Sequence, residues 1–147
     1  MEKIKSFEVN HLTLLPGIYV SRVDTMDNFT FTTYDLRFTR PNFEPVMNTA
    51  EVHTIEHLGA TFFRNNYKDL TMYFGPMGCR TGFYLILKGD SNLDNTREYV
   101  KECMKYIINF EGKIPGQSPI ECGNYLDLNL DMAKFYAKKY LKILEEK

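Results

Sequence analysis

GIYVSRVDTMDNFTFTTYDLRFTR, residues 17–40, alternates apolar and polar side chains on either side of a short polar interruption. Alternation with a period of two is typical of a strand that has one face against a core. Asp27 and Asn28 separate the two alternating runs and are residue types that favour tight turns. We therefore predict an antiparallel hairpin, with Arg37 near the end of its second strand.

A second pair of strands is predicted in LTMYFGPMGCRTGFYLILKG, residues 70–89, around a tight turn rich in glycine. Cys79 lies on this turn, where its side chain is accessible. Amphipathic helices are predicted at 48–65, 94–110 and 131–145, because their apolar residues recur at helical spacing. The pattern indicates a single α+β domain over 1–147, with an antiparallel sheet packed against about three helices.

The composition excludes several classes of protein. Hydrophobic residues are 44% and charged residues 25% of the 147, which are ordinary globular values. A net charge of -1 gives no broad positive field, so we expect no nucleic-acid partner. The amino-terminal residues lack the apolar run of a signal peptide, and no apolar stretch is long enough to cross a bilayer. We therefore expect a cytoplasmic protein without a membrane partner.

The sequence HTIEH places His53 and His57 four residues apart on the first predicted helix. Both imidazoles then leave the same helix face and can bind one ion, as in the two-histidine motifs of zinc enzymes. Histidines at this spacing also occur by chance on solvated helices. Because the chain has only 3 histidines, the placement of two of them at ligand spacing around Glu56 favours the metal site. A catalytic site of this kind needs a third protein ligand.

The three cysteines differ in their settings. Cys122, in the loop EGKIPGQSPIECGN at 111–124, is the best candidate for the third ligand, although an inert buried cysteine is the commoner fate of this residue type. Cys103 fits that inert description among helical core positions. Cys79 lies between glycines in GPMGCRTG, where a nearby Arg37 or Arg80 would favour its thiolate and make it a usable base.

Glu56 is the second acid/base candidate, since a modest rotation would bring its carboxylate to a metal-bound oxygen. Most glutamates on helices are simply solvated, and a turn cysteine such as Cys79 also commonly has no role. Both alternatives stay open on the residues alone.

Five motifs in this order resemble the S-ribosylhomocysteine lyase (LuxS) family: SFEVNH at 6–11, DLRFTRPN at 35–42, HTIEHL at 53–58, GPMGCRTGFY at 75–84 and ECGNY at 121–125. The resemblance implies a homodimeric α+β enzyme whose active sites lie at the subunit interface. It further implies one divalent ion per subunit, Fe(II) or a substitute such as zinc or cobalt. The residues it implies are the metal ligands His53, His57 and Cys122, the acid/base pair Cys79 and Glu56, and the substrate contacts Ser6, His11 and Arg37.

The reaction that this resemblance implies is cleavage of S-ribosylhomocysteine by metal-assisted carbonyl migration and β-elimination. Its products are homocysteine and 4,5-dihydroxy-2,3-pentanedione, the autoinducer precursor of bacterial quorum sensing. Four positions depart from the usual family pattern. Tyr73 and Gly75 replace an aspartate and a serine, Asn10 replaces an aspartate and Leu128 replaces a histidine. None is a matched ligand or acid/base group, so we expect an effect on supporting hydrogen bonds and substrate orientation.

Two other functions are consistent with parts of the sequence. HTIEH also fits the His-x-x-Glu-His motif of metallopeptidases, with Glu102, Glu111 or Glu121 as a third ligand. A chain of 147 residues offers little room for a peptide cleft, and this reading leaves Cys79 unexplained. The other reading is a catalytically impaired relative, or a binding protein, that only holds a metal.

Overall fold

The computed structural model describes residues 1–146 and confirms the predicted α+β fold, with the hairpin as part of a four-stranded antiparallel sheet. The strand order is β1-β2-β4-β3. The bounds are Gly17–Met26 for β1, Phe29–Arg37 for β2, Thr71–Pro76 for β3 and Gly82–Lys88 for β4. Asp27, in the turn of the hairpin, has a φ of 53°, a left-handed conformation that aspartate tolerates better than most residues.

The three predicted helices are confirmed to within a residue or two at each end. They are α2 at Thr49–Asn66, α3 at Leu93–Asn109 and α4 at Leu130–Glu145, and a single turn, α1 at Lys5–Glu8, precedes them. This first turn was not predicted, because four residues are too few to show a helical period. At the start of α2, the backbone N–H of Asn48 donates to the Glu51 carboxylate at 2.7 Å.

The core lies between one face of the sheet and the three long helices. Tyr34 and Leu36 of β2 point into it, as do Ile55 and Leu58 of α2 and the ring of Phe83 of β4. Neighbouring residues of a strand face opposite sides of the sheet, so Asp35 and Arg37 lie on the face that the helices do not cover. Both are nevertheless almost fully buried, with 6% and 2% of their surfaces exposed.

The segment between α3 and α4 contains no helix or strand and packs against α2 through its backbone and side chains. It includes the predicted loop at 111–124 and extends it to residue 129. No helix within residues 1–146 has both the length and the apolar character that crossing a bilayer requires.

Candidate active site

His53 and His57 lie on the side of α2 opposite the buried Ile55. At 100° per residue each is about 160° around the helix from the buried Ile55. Their rings are half-buried, with centroids 4.5 Å apart and planes at 85°. The spacing in HTIEH therefore brings both imidazoles to one place, as predicted.

Cys122 reaches the same place from the loop between α3 and α4. Its Sγ lies 3.4 Å from Nε2 of His53, and one donor atom from each of His53, His57 and Cys122 lies within 4.8 Å of the others. In a tetrahedral zinc site, nitrogen and sulfur ligands lie about 3.4 to 3.6 Å apart. The three side chains therefore fit a single metal ion, and this set is the only such group of three among residues 1–146.

Backbone carbonyls determine which ring nitrogens of His53 and His57 face the candidate metal position. The oxygen of Asp127 lies 2.9 Å from Nδ1 of His53, and the oxygen of Pro115 lies 2.7 Å from Nδ1 of His57. A carbonyl can only accept, so each Nδ1 carries the proton and each Nε2 lone pair is left for an ion. The backbone N–H of Asn124 donates to Cys122 Sγ at 3.4 Å, and this hydrogen bond helps to orient the sulfur.

The second candidate group lies where β2 ends and the turn between β3 and β4 begins. Arg37 forms a buried ion pair with Asp35, with Nη2 2.5 Å from Oδ2 and Nε 3.1 Å from Oδ1. Its Nη1 donates to Thr81 Oγ1 at 2.7 Å and lies 4.0 Å from Cys79 Sγ. Cys79 itself is exposed, as the glycine-rich turn predicted.

Ser6 and His11 lie close to this second group. The Ser6 side chain acts on the phenol of Tyr84, and the His11 side chain acts electrostatically on Asp35. Burial raises the pKa of the Asp35 carboxyl, and Arg37 and His11 oppose that shift. Burial, followed by the charge of Asp35, also raises the pKa of Tyr84. The predicted substrate contacts Ser6, His11 and Arg37 thus lie in one region of the outer sheet face.

Ser6 and Tyr84 also line a groove of about 660 Å³ along this face. Much of the remaining lining is apolar, from Met72, Ile86 and Phe31. The groove is of a size that accommodates a small metabolite.

Glu56 lies on α2 between the two histidines and is half-buried. Within residues 1–146 no hydrogen bond or ion pair holds its carboxylate, so the group is available to a ligand. Cys103 is fully buried in the core, and burial raises the pKa of its thiol, in agreement with the predicted inert role.

Sequence reasoning missed several residues of both groups. Asp35 could have been suspected, because it precedes Arg37 by two positions on one strand face. Thr81 lies in the turn between β3 and β4, where no strand period applies. The carbonyls of Pro115 and Asp127 carry no side-chain signal at all. They are brought to the histidines only by the path of the loop.

The fold and the site define an α+β protein with a candidate metal centre made of two imidazoles and one thiolate. The family model described as S-Ribosylhomocysteinase (LuxS) matches residues 4–147, and the chain belongs to this family. It is 62% identical over 144 residues to the S-ribosylhomocysteine lyase of Finegoldia magna, covering 98% of this chain and 92% of that protein. It is 58% identical to the S-ribosylhomocysteine lyase of Clostridium acetobutylicum (99% and 93% covered) and 47% identical to that of Phocaeicola vulgatus (99% and 92% covered).

Proposed function

We propose that this chain is an S-ribosylhomocysteine lyase, which cleaves S-ribosylhomocysteine into homocysteine and 4,5-dihydroxy-2,3-pentanedione. The observation that carries the proposal is the convergence of His53, His57 and Cys122, together with a separate thiol, Cys79, beside a buried arginine. Family membership supports the same reaction. A metallopeptidase mechanism would give Cys79 and the neighbouring Arg37 no role.

The chemistry explains why two kinds of group are needed. The sulfur at C5 of the ribose leaves poorly until a ketone at C3 acidifies the proton on C4. The carbonyl must therefore move from C1 to C2 and then to C3, and each move transfers protons between neighbouring carbons and oxygens. Removal of the C4 proton then expels the C5 sulfur with its electron pair, and the resulting enol tautomerises to the diketone.

His53, His57 and Cys122 would hold one divalent ion per subunit, for which we propose Fe(II), with zinc or cobalt as substitutes. When bound, the ion supplies a Lewis acid that polarises the substrate carbonyl. The carbonyls of Asp127 and Pro115 keep the two rings in the orientation and tautomer that ligation requires.

Cys79 and Glu56 would move the protons. The Arg37 guanidinium lies beside Cys79, and we assign Cys79, as a base, to the carbon-bound protons. Glu56, whose carboxylate has no protein partner in the described residues, would serve the oxygen-bound protons and the final elimination. Ser6, His11 and Arg37 would bind the substrate.

A homodimer with active sites at the subunit interface would bring the two groups together. Cys79 contacts Arg37 on the outer face of the sheet, whereas His53 and His57 lie on the side of α2 opposite the buried Ile55. In such a dimer, the metal ligands of one subunit and the Cys79 group of the other would share one substrate. A cytoplasmic location fits this proposal, because the three cysteines are free thiols, which persist in reducing compartments.

Incubation of the purified Fe(II) protein with S-ribosylhomocysteine, followed by an assay of free thiol, tests the proposal. We expect homocysteine to appear in step with the diketone, and Cys79→Ala and Glu56→Gln variants to keep their metal while losing turnover. Metal binding without thiol release would identify an impaired relative instead. Peptide hydrolysis that depends on Glu56 would identify a metallopeptidase.

A further inference from the structure

Thr81 joins Arg37 to Cys79 through its hydroxyl group. Its Oγ1 lies 2.7 Å from Nη1 of Arg37 and 3.1 Å from Sγ of Cys79, and the residue is only 4% exposed. The direct distance from Arg37 Nη1 to Cys79 Sγ is 4.0 Å. The path through Thr81 therefore has the shorter contacts.

The direction of these two hydrogen bonds follows from the chemistry of the donors. A guanidinium has no acceptor, so Arg37 must donate and the Thr81 oxygen must accept. The hydroxyl of Thr81 keeps its own proton, and the sulfur of Cys79 is the acceptor that the structure places within reach. Thr81 therefore donates to Cys79, and such a donor stabilises a thiolate more than a thiol.

The residues around Thr81 restrict the orientation of its side chain. Asp35 holds Nη2 and Nε of Arg37, which directs the remaining Nη1 to Thr81. Arg80, between Cys79 and Thr81, has a φ of 61° and its N–H donates to the oxygen of Met77 at 2.9 Å. This left-handed turn brings the side chains on either side of it together.

We propose that Thr81 is a positioning residue, whose hydroxyl transmits the charge of Arg37 to Cys79 and holds the sulfur as a thiolate in one orientation. The proposal deepens the proposed function and rests on it for the role of Cys79. Three further titratable groups act on this cluster: Asp35 on β2, Tyr84 on β4, and His11, which acts on Asp35. Removal of the Thr81 hydroxyl leaves all of them in place.

The test compares Thr81→Val, which removes the hydroxyl, with Thr81→Ser, which keeps it. Thr39→Val is the matched control. Thr39 is also fully buried and its N–H donates to the Thr81 carbonyl at 3.1 Å, but its Oγ1 has no hydrogen-bond partner among the described residues. Thr81→Ala replaces the valine variant if that variant does not fold.

The measurement is the rate of alkylation of Cys79 by iodoacetamide in the metal-loaded protein, from pH 5 to pH 10, with the Cys79 peptide quantified by mass spectrometry. We expect Thr81→Val to move the midpoint of the pH–rate curve upward by about one pH unit, so that the reaction slows by up to roughly tenfold at pH values below the wild-type midpoint. Thr81→Ser and Thr39→Val should follow the wild type. Coincident curves for wild type and Thr81→Val, or an equal shift in Thr39→Val, would overturn the proposal.

This experiment separates the proposal from the proposed function, because alkylation needs neither substrate nor turnover. A shifted curve in a protein that releases no homocysteine would leave the Thr81 proposal standing and remove the lyase assignment. In an active enzyme, we expect Thr81→Val to lower kcat at neutral pH with little change in KM, and raising the pH should restore part of the loss.

Discussion

Gly116 packs so closely on His57 that a Cβ at this position would lie 3.0 Å from Nδ1 and 3.1 Å from Cε1 of the ring. The preceding residue, Pro115, supplies the carbonyl to that same Nδ1. One short turn of the loop thus sets both the tautomer and the position of a proposed metal ligand. A side chain on this turn would push the imidazole away from the other two donor atoms.

Gly116→Ala should therefore weaken metal binding. The affinity for Zn(II) or Co(II), measured by competition with a chelator, should fall about tenfold, the lower end of what the loss of ligand support costs. Gly112→Ala is the matched control, because Gly112 also has a positive φ, of 95° against 77° for Gly116, but has nothing within 4 Å of its Cβ position. Equal losses of affinity in the two variants would show that backbone strain in the loop, and not the contact with His57, is responsible.

Substitution by alanine should affect stability much more at Gly59 than at Gly75. A Cβ at Gly59 would lie 2.3 Å from the ring of Phe74, which is 5% exposed and stacked on Phe83 in the core. Because this ring has nowhere to move, Gly59→Ala should lower the free energy of unfolding by about 1 to 3 kcal/mol. Urea denaturation measures the loss, and an unchanged midpoint would contradict the packing described for α2 on β3.

A Cβ at Gly75 would lie 2.0 Å from the hydroxyl oxygen of Tyr73. That ring is 50% exposed and can swing into solvent, so Gly75→Ala should change the free energy of unfolding by less than about 1 kcal/mol. Positions 73 and 75, where we expected departures from the family pattern, are therefore coupled, since Tyr73 occupies the space that a side chain at 75 would need. In a Tyr73→Ala background, Gly75→Ala should change the free energy of unfolding even less in the same urea experiment, and a loss as large as that of Gly59→Ala would contradict this coupling.

The buried phenol of Tyr140 should make the free energy of unfolding fall at high pH. Its phenol is fully buried and donates to the carbonyl of Gly17 at 2.8 Å, and burial raises its pKa well above the usual 10.0. The folded state favours the neutral phenol, so the free energy of unfolding is unaffected below pH 10 and falls as the pH rises further. Tyr140→Phe should cost about 1 kcal/mol at pH 7 and lose less on going to pH 11. Urea curves for the two proteins that decline in parallel between pH 9 and pH 11 would refute this.

The parts of the site that could be predicted are those in which the local spacing of residues determines where their side chains point. His53 and His57 share a helix face because they are four residues apart, and Arg37 ends β2 because the alternating pattern ends there. Cys122 was predicted to be the third metal ligand from ligand chemistry alone, because it is a cysteine in a loop. The structure brings it to His53.

The remaining contacts depend on long-range packing and have no local sequence pattern. Thr81 meets Arg37 only because β2 pairs with β4, in the register Arg37↔Gly82. The carbonyls of Pro115 and Asp127 reach the histidines through an irregular loop, whose path no periodicity describes. The single turn α1, which carries Ser6, is too short for a periodic signal.

The most direct test of the account is the identity of the atoms around the bound metal. X-ray absorption of the Co(II)-loaded protein should show one sulfur neighbour at about 2.3 Å and two imidazole nitrogens around each ion. Cys122→Ser should lose the sulfur signal, whereas Cys79→Ser should retain it. A sulfur signal that survives in Cys122→Ser and disappears in Cys79→Ser would contradict the assignment of the metal ligands and of the base together.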